Sequence, residues 1–265
     1  MTVFVAPTSL VRAGSVLSWY ARSYRATWRG TITVAFLNPL FFLLAIGVLL
    51  GAVIDEGSAD LGGLSYLEFV TPGLLAATAM QIGTNEGSFP VMAGLRWVRT
   101  YHGVVATPVR VGELYTGLVG WVALRLLVSA AIFTAVAAAI GAFRSPFAVL
   151  APAAALLCGL AFAAPLAALA ASLSEESGAV LTGIFRFVIL PLFLFSGTFF
   201  PVSQLPDWLE PVAWATPLWH GVTLCRDLAT GELALSALGH AAFMVAFVVG
   251  GSLLAVRALN KRLLQ

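Results

Sequence analysis

The chain has 265 residues, of which 60% are hydrophobic and only 10% are charged. Soluble globular domains carry about 25% charged residues, so this composition excludes a soluble fold and predicts a polytopic membrane protein. The formal net charge of +2 does not indicate a nucleic-acid partner, and none is expected. The two cysteines, Cys158 and Cys225, are too few for a disulfide framework.

The N-terminal residues 1–30 combine arginines with aromatic side chains and precede the first apolar run. Steps of about 100° per residue put the apolar side chains between Leu10 and Trp28 on one face and the arginines on the other. This pattern predicts an amphipathic helix in the cytosolic headgroup plane, because the alternative, a disordered basic leader, does not explain the aromatic face. The predicted interface residues are Arg12, Tyr20, Arg22, Tyr24, Arg25 and Trp28.

Six apolar runs are long enough to cross a bilayer, which takes about 20 residues. An all-α membrane protein is therefore predicted, with the interface helix in residues 1–30 and a six-span transmembrane domain in residues 31–265. The predicted spans are residues 31–53, 66–84, 114–140, 147–173, 180–199 and 235–256.

Basic residues predict the orientation of these spans, since Lys and Arg accumulate in cytosolic loops. Arginines precede the first predicted span and follow the second, and basic residues follow the sixth. Acidic residues predominate in the opposite connectors. The prediction is a multi-pass protein of the plasma membrane, the inner membrane of a bacterium, with both termini in the cytosol.

The coupling loop, residues 90–113, is the longest well-charged break between two predicted spans. A membrane chain without a soluble catalytic domain is expected to be driven by another protein. This short amphipathic loop is the predicted docking element for that protein. The predicted docking residues are Leu95, Arg96, Trp97, Arg99, Tyr101 and His102.

Arg125 lies about midway along the third predicted span, where an uncompensated arginine costs about 2.5–3.5 kcal/mol. Two roles are open. The side chain is either a polar group beside a substrate path or a structural anchor paired with a carboxylate or carbonyls. No acidic partner is evident in the sequence.

The outer segment, residues 197–230, is too apolar for a free loop and too rich in proline for a spanning helix. It predicts one or two short re-entrant helices that dip into the outer leaflet and form an outer gate. For His220, a hydrogen-bonded interfacial role is the alternative to titration at the gate. The predicted path or gate residues are Arg125, Phe199, Phe200, Trp219 and His220.

Several motifs follow one another along the chain: Glu86, the loop 96–108, Gly112-Glu113, Phe200-Pro-Val-Ser-Gln-Leu-Pro206, Pro217-Leu-Trp-His220, Arg226 and Gly231. In their order and spacing these motifs resemble the permeases of ABC-2-type exporters, in particular the branch with nodulation-factor (lipo-oligosaccharide) exporters and drug-resistance permeases. The resemblance implies a coupling helix seated on an ATPase subunit dimer, and a path enclosed with a second permease copy, identical or related.

The chain lacks the Gly-x-x-x-x-Gly-Lys-Ser/Thr motif of a phosphate-binding loop, so no ATP site of its own is expected. ATP and Mg²⁺ are expected on the partner ATPase, and no cofactor on this chain. The histidines lie far apart in sequence without metal-ligand spacing, so no metal is expected.

Two other classes of function remain open at this stage. An ion-coupled secondary transporter typically has intramembrane carboxylates and often an inverted repeat, and neither feature is evident in the sequence. A membrane-embedded enzyme or an assembly scaffold has no convergent acid, base or metal residues to support it. The leading hypothesis is the transport subunit of an ATP-driven exporter with an amphipathic cargo: a lipid-linked glycan, a glycolipid or a hydrophobic drug.

Overall fold

The computed structural model describes residues 8–25, 41, 43–45, 63–174 and 178–264. Within these residues the chain forms helices and short connections, and no β-strand. In chain order the α-helices are α1 (Ser9–Tyr24), α2 (Tyr66–Met92), α3 (Thr100–Val105), α4 (Val111–Ala139), α5 (Ala151–Ser172), α6 (Gly178–Phe195, with a π-helical turn at Phe185–Ile189), α7 (Glu210–Trp214), α8 (Pro217–Thr230) and α9 (Ser236–Leu263).

Four of the described helices are long and apolar enough to cross a membrane: α4, α5 with the 3₁₀ turn that precedes it, α6 and α9. They correspond to the predicted spans three to six. Helix α2 has 27 residues but carries Gln81, Asn85 and Glu86, so its crossing stays a prediction. The first predicted span lies mostly outside the described residues, and the six-span count therefore also stays a prediction.

Two helices extend beyond the predicted spans. Helix α2 continues through Pro90 to Met92, eight residues past the predicted end at Thr84. Helix α9 continues to Leu263, so the basic residues Lys261 and Arg262 lie in its last turn rather than in a tail. Cationic side chains at a helix C-terminus complement the helix dipole, which explains why the charged sequence stays helical.

Helix α5 lies at the centre of the bundle and packs against α2 through small residues. A β-carbon on Gly83 would overlap the backbone of Gly159, and one on Gly87 would overlap the backbone of Ala163. The two backbones are therefore in direct contact. Small residues are expected here, because helices in lipid associate by close packing rather than by the hydrophobic effect.

Helix α1 packs on α4 through its apolar face, and its predicted position at the membrane surface stays a prediction. Ala13 and Val16 are buried, and the Val16 side chain fills the space above Gly117. The Tyr20 ring stacks on Trp121 with ring centroids 6.3 Å apart. The central part of the apolar face of α1 therefore contacts protein. The predicted interface residue Trp28 lies outside the described residues.

We expect Gly83→Ala to destabilise the bundle by about 1–3 kcal/mol, because neither backbone at the α2–α5 contact can move without breaking helical hydrogen bonds. The measurement is the midpoint of thermal unfolding in detergent. Gly250→Ala is the matched control, since a β-carbon there meets nothing within 4 Å. Equal midpoints for the two variants would contradict the close contact.

Candidate functional site

The coupling loop turns sharply between α2 and α4. Helix α2 ends in a π-helical turn, Ala93–Trp97, and α3 follows after Arg99. Arg99 adopts the left-handed conformation with φ of 59°, which is uncommon for a residue other than glycine. The loop therefore presents its tip as a compact hairpin.

The predicted docking residues separate into an exposed and a buried group. Trp97 is 54% exposed, and Arg99 and His102 are also exposed. Leu95 and Tyr101 are only 2% and 1% exposed. Leu95 and Tyr101 thus face the interior of the bundle, and the docking role of the loop residues stays a prediction.

Arg96 is turned toward the bundle as well. Its Nη2 atom donates a hydrogen bond to the carbonyl oxygen of Leu173, at 2.6 Å. From the last helix, Arg262 Nη2 donates to the carbonyl oxygen of Ser172 at 2.9 Å. Both arginines thus bind carbonyls at the C-terminus of α5, groups that have no partner within the helix. The coupling loop and the C-terminus of α9 therefore lie at the same end of the bundle.

A hydrogen bond joins the coupling helix to the N-terminal helix. The hydroxyls of Tyr20 and Tyr101 are 2.7 Å apart. Burial raises the pKa of Tyr101 to about 12 and raises the pKa of Tyr20 well above its ordinary value. Both hydroxyls therefore stay protonated at neutral pH, and one donates to the other.

Arg125 has the acidic partner that the sequence did not reveal. Its Nη1 atom forms an ion pair with Glu86 Oε1, and the two side chains are 19% and 14% exposed. The guanidinium also lies 5.1 Å from the ring centroid of Tyr24. A cation paired and covered in this way is compatible with a low-dielectric site. This pairing supplies the carboxylate that the anchor alternative requires.

The hydroxyl pair and the ion pair meet at Trp121 of α4, because the rings of both Tyr20 and Tyr24 lie against its indole. We call the five side chains of these two pairs and Tyr24 the tyrosine–carboxylate cluster. It holds α1, α2, α3 and α4 together at one place. It contains a charged pair and phenol hydroxyls but no activated nucleophile, so the chemistry it offers is linkage between helices rather than catalysis. Its members are Tyr20, Tyr24, Glu86, Tyr101 and Arg125.

The outer segment is fixed by Arg226, which the sequence analysis named only as part of the family motif. Arg226 Nη2 donates to the carbonyl oxygen of Gly197 at 2.9 Å and to that of Phe69 at 3.3 Å. Its guanidinium carbon lies 4.0 Å from the ring centroid of Phe69. Arg226 therefore fastens α8 to the start of α2 and to the turn after α6. The one available signal was its place in the motif quoted above.

The four outer residues predicted for a gate pack into aromatic contacts. Phe199 lies against Phe193, and Phe200 lies against Phe195. His220 and His240 face each other with their Nδ1 atoms 2.7 Å apart, beside Trp219. The structure thus brings together two histidines that are 20 residues apart. Arg125 belongs to the tyrosine–carboxylate cluster instead, so the predicted set forms two separate groups.

The sequence matches the model of the ABC-2 type transporter family over residues 15–229. The chain belongs to the ABC-2 type transporter family. The matched region begins inside α1 and ends inside α8, so it contains the tyrosine–carboxylate cluster, the coupling loop and the outer segment.

Similar curated proteins cover almost the whole chain. Nodulation protein J of Rhizobium leguminosarum bv. trifolii is 29% identical over 95% of this chain and 96% of its own length. Nodulation protein J of Sinorhizobium fredii is 30% identical over 94% of this chain and 95% of its own length. As an ABC-2 permease, the chain is an integral membrane transport protein.

We expect Glu86→Gln and Arg125→Met each to destabilise the permease by about 3–5 kcal/mol, because either change leaves a buried charge without its partner. The free energy of unfolding should fall less in the double variant than the sum of its decreases in the two single variants. The measurement is the thermal unfolding midpoint of the purified permease.

Arg144→Gln serves as the control, because it breaks the more exposed ion pair with Glu68, where Arg144 is 46% exposed. Such pairs contribute about 0–1 kcal/mol. Strictly additive losses from Glu86→Gln and Arg125→Met would contradict a mutual dependence of the two charges.

Proposed function

We propose that this ABC-2 permease is the transmembrane subunit of an ATP-driven exporter in the bacterial inner membrane, with both termini in the cytosol. The observation that carries the proposal is the construction of the coupling loop. Its exposed tip is available to a partner, whereas the buried Tyr101 is hydrogen-bonded to Tyr20 of α1 and Arg96 to the C-terminus of α5. The loop is therefore built to receive a force and pass it inward.

The exposed tip forms the docking surface. It presents an indole at Trp97, an isopropyl group at Val98 and a guanidinium at Arg99. An aromatic side chain and an arginine on one small surface are typical of residues that dominate protein interfaces. The proposed occupant is an ABC ATPase subunit, two copies of which bind ATP and Mg²⁺ for the assembly.

The buried residues transmit the movement. A displacement of α3 acts on Tyr101, which is bonded to Tyr20 of α1. The same cluster contains the pair Glu86–Arg125, so α2 and α4 follow. The cluster is thus the proposed route by which a movement of the coupling loop reaches the long helices.

A second permease copy, identical or related, completes the path. The cargo is proposed to be amphipathic, such as a lipid-linked glycan, a glycolipid or a hydrophobic drug. Similarity to relatives named Nodulation protein J and the aromatic character of the outer segment support this class. The Glu86 carboxylate gives the ion-coupled alternative one intramembrane acid, but its pairing with Arg125 leaves it less suited to carry an ion.

We expect the variant Trp97→Ala with Arg99→Glu to abolish co-purification of the ATPase, because it removes the aromatic anchor and reverses the charge of the tip. The tagged permease is purified from membranes of its host. An ATPase subunit with a phosphate-binding loop is identified in the eluate by mass spectrometry, and ATP hydrolysis is measured there.

Arg22→Glu is the matched control, since Arg22 is an exposed arginine of α1 outside the tip. It should leave the ATPase bound. Equal recovery of the ATPase with the tip variant and with Arg22→Glu would contradict the proposed docking surface. Arg96→Glu is unsuitable as a test, because Arg96 also supports α5.

In vesicles that contain the permease and its ATPase, we expect export of a fluorescent short-chain glycolipid to require ATP hydrolysis. A protonophore should leave the rate unchanged, because no ion gradient drives the step. Transport that continues without ATP, or that stops when the gradient collapses while ATP remains, would favour the ion-coupled alternative.

A further inference from the structure

A pair of histidine rings joins α8 to the start of α9. His220 and His240 approach with their Nδ1 atoms 2.7 Å apart, a hydrogen-bond distance. The Trp219 ring lies edge-to-face against both imidazoles, with its centroid 5.0 Å from that of His220 and 5.1 Å from that of His240. Phe243 of α9 stacks on His220, with ring centroids 4.0 Å apart. The two histidines are therefore packed against aromatic rings from both helices.

The first two turns of α9 have few buried contacts apart from this pair. None of the residues 236–243 is buried, and the first buried residue of the helix is Met244. Helix α8 is fixed to the bundle, since its residues Val222 and Cys225 are fully buried. Loss of the bond between the histidines would therefore free the start of α9 and leave α8 in place.

The bond between the two rings depends on their protonation. A hydrogen bond between two imidazole nitrogens needs one nitrogen that carries a proton and one that does not. This condition can be met when both rings are neutral and when one of them is charged. When both rings are charged, both Nδ1 atoms carry a proton and two like charges lie side by side. The bond therefore breaks when the pair takes up its second proton.

The surroundings of His220 oppose its protonation. Burial lowers the pKa of His220, and the charge of a protonated His240 lowers this pKa further, whereas a hydrogen bond with the backbone of Trp214 raises it. Both rings are only half-buried, so protons can reach them from water.

The charged residues on the elements around the pair are few. Helix α5 has none, and in α9 the first one is Arg257. Glu68 and Glu86 of α2 are already paired with arginines. The remaining charged residues of α7, α8 and the adjoining connections are Arg144, Asp207, Glu210, Arg226, Asp227 and Glu232. Among the charges of the described residues, that of His240 acts on the pKa of His220.

Acidification therefore favours separation of the rings. The bonded pair holds at most one added proton, whereas two separated histidines with the ordinary pKa of about 6.5 hold two at low pH. Because the pKa of His220 is lowered in the bonded state, this state is favoured above about pH 6.5 and loses stability as the pH falls below that value. A difference of one bound proton changes the ratio of bonded to separated pairs about tenfold per pH unit.

We propose that His220 and His240 form a proton-sensitive contact, which holds the outer segment to α9 at neutral pH and releases it in an acidic medium. On release, Trp219 of the outer segment loses its contact with the start of α9. The contact belongs to the permease alone and does not depend on ATP-driven transport. Its test and the tests of the proposed function therefore fail independently.

The test is ¹⁵N NMR of the histidine-labelled full-length permease in lipid bilayers, at pH values about 1.5 units above and below the ordinary histidine pKa. The chain has only three histidines, so the signals can be assigned. We expect a scalar coupling between the Nδ1 nuclei of His220 and His240 at the higher pH, because the two atoms share a proton. At the lower pH we expect both rings to be fully protonated and the coupling to be lost.

His102→Gln is the matched control, since His102 is an exposed histidine of the coupling loop. This variant should keep the coupling at the higher pH and lose it at the lower pH, as the parent does.

A second measurement reports the separation of the helices. Spin labels on Val212→Cys and Leu238→Cys, both exposed positions, are compared by double electron–electron resonance at the same two pH values. The native cysteines are buried and should stay unlabelled. We expect the distance between the labels to increase on acidification in the parent. With His240→Gln, which leaves no pair to titrate, the distance should be the same at both pH values.

Three results would overturn the proposal. A coupling that persists at the lower pH would show that protons do not break the bond. Absence of the coupling at the higher pH would show that the rings are not bonded at all. An equal increase of the label distance in the parent and in His240→Gln would assign the movement to other groups. If His240→Gln does not fold, the NMR measurement on the parent decides the matter.

Discussion

The ion pair between Glu86 and Arg125 is the constraint on which the packing of α1, α2 and α4 depends. Neither charge is stable alone in this buried position, because removing a single ion from water costs more free energy than its contacts with apolar groups recover. Each residue therefore fixes the position of the other, and with it the register of α2 against α4. Tyr24 covers the guanidinium from α1, so the N-terminal helix is held at the same point.

The bundle is held by different kinds of contact at its centre and at its ends. At the centre, α2 and α5 meet backbone to backbone at Gly83 and Gly159, a contact that allows little adjustment. At the ends, arginines bind carbonyl oxygens at helix termini and turns. Arg96 does so at the end of the bundle that holds the coupling loop, and Arg226 does so at the other end of α2. The bundle is therefore held by backbone contact at its middle and by arginine–carbonyl bonds at its ends.

Neighbouring residues of the coupling loop differ in exposure and in what they contact. Three consecutive residues, from Trp97 to Arg99, are exposed, whereas Arg96 before them and Tyr101 after them bond to the rest of the bundle. A change at Arg96 or Tyr101 would therefore alter the position of the exposed residues as well. Variants in this loop need a stability measurement beside a binding measurement, because the two effects otherwise look alike.

The sequence composition by itself determined that the chain is a helical membrane protein, because a helix satisfies its own backbone hydrogen bonds in a bilayer. Hydropathy located the helices α4, α5, α6 and α9, with most of their ends correct to within a few residues. The sequence also singled out Arg125 as a costly charge that needs compensation. Only the tertiary structure decided that the partner is Glu86, that Tyr101 faces inward and that His220 meets His240. Each of these depends on how two helices are rotated against each other. That rotation is set by small-residue contacts, such as those of Gly83 and Gly117, whose partners lie far away in the sequence.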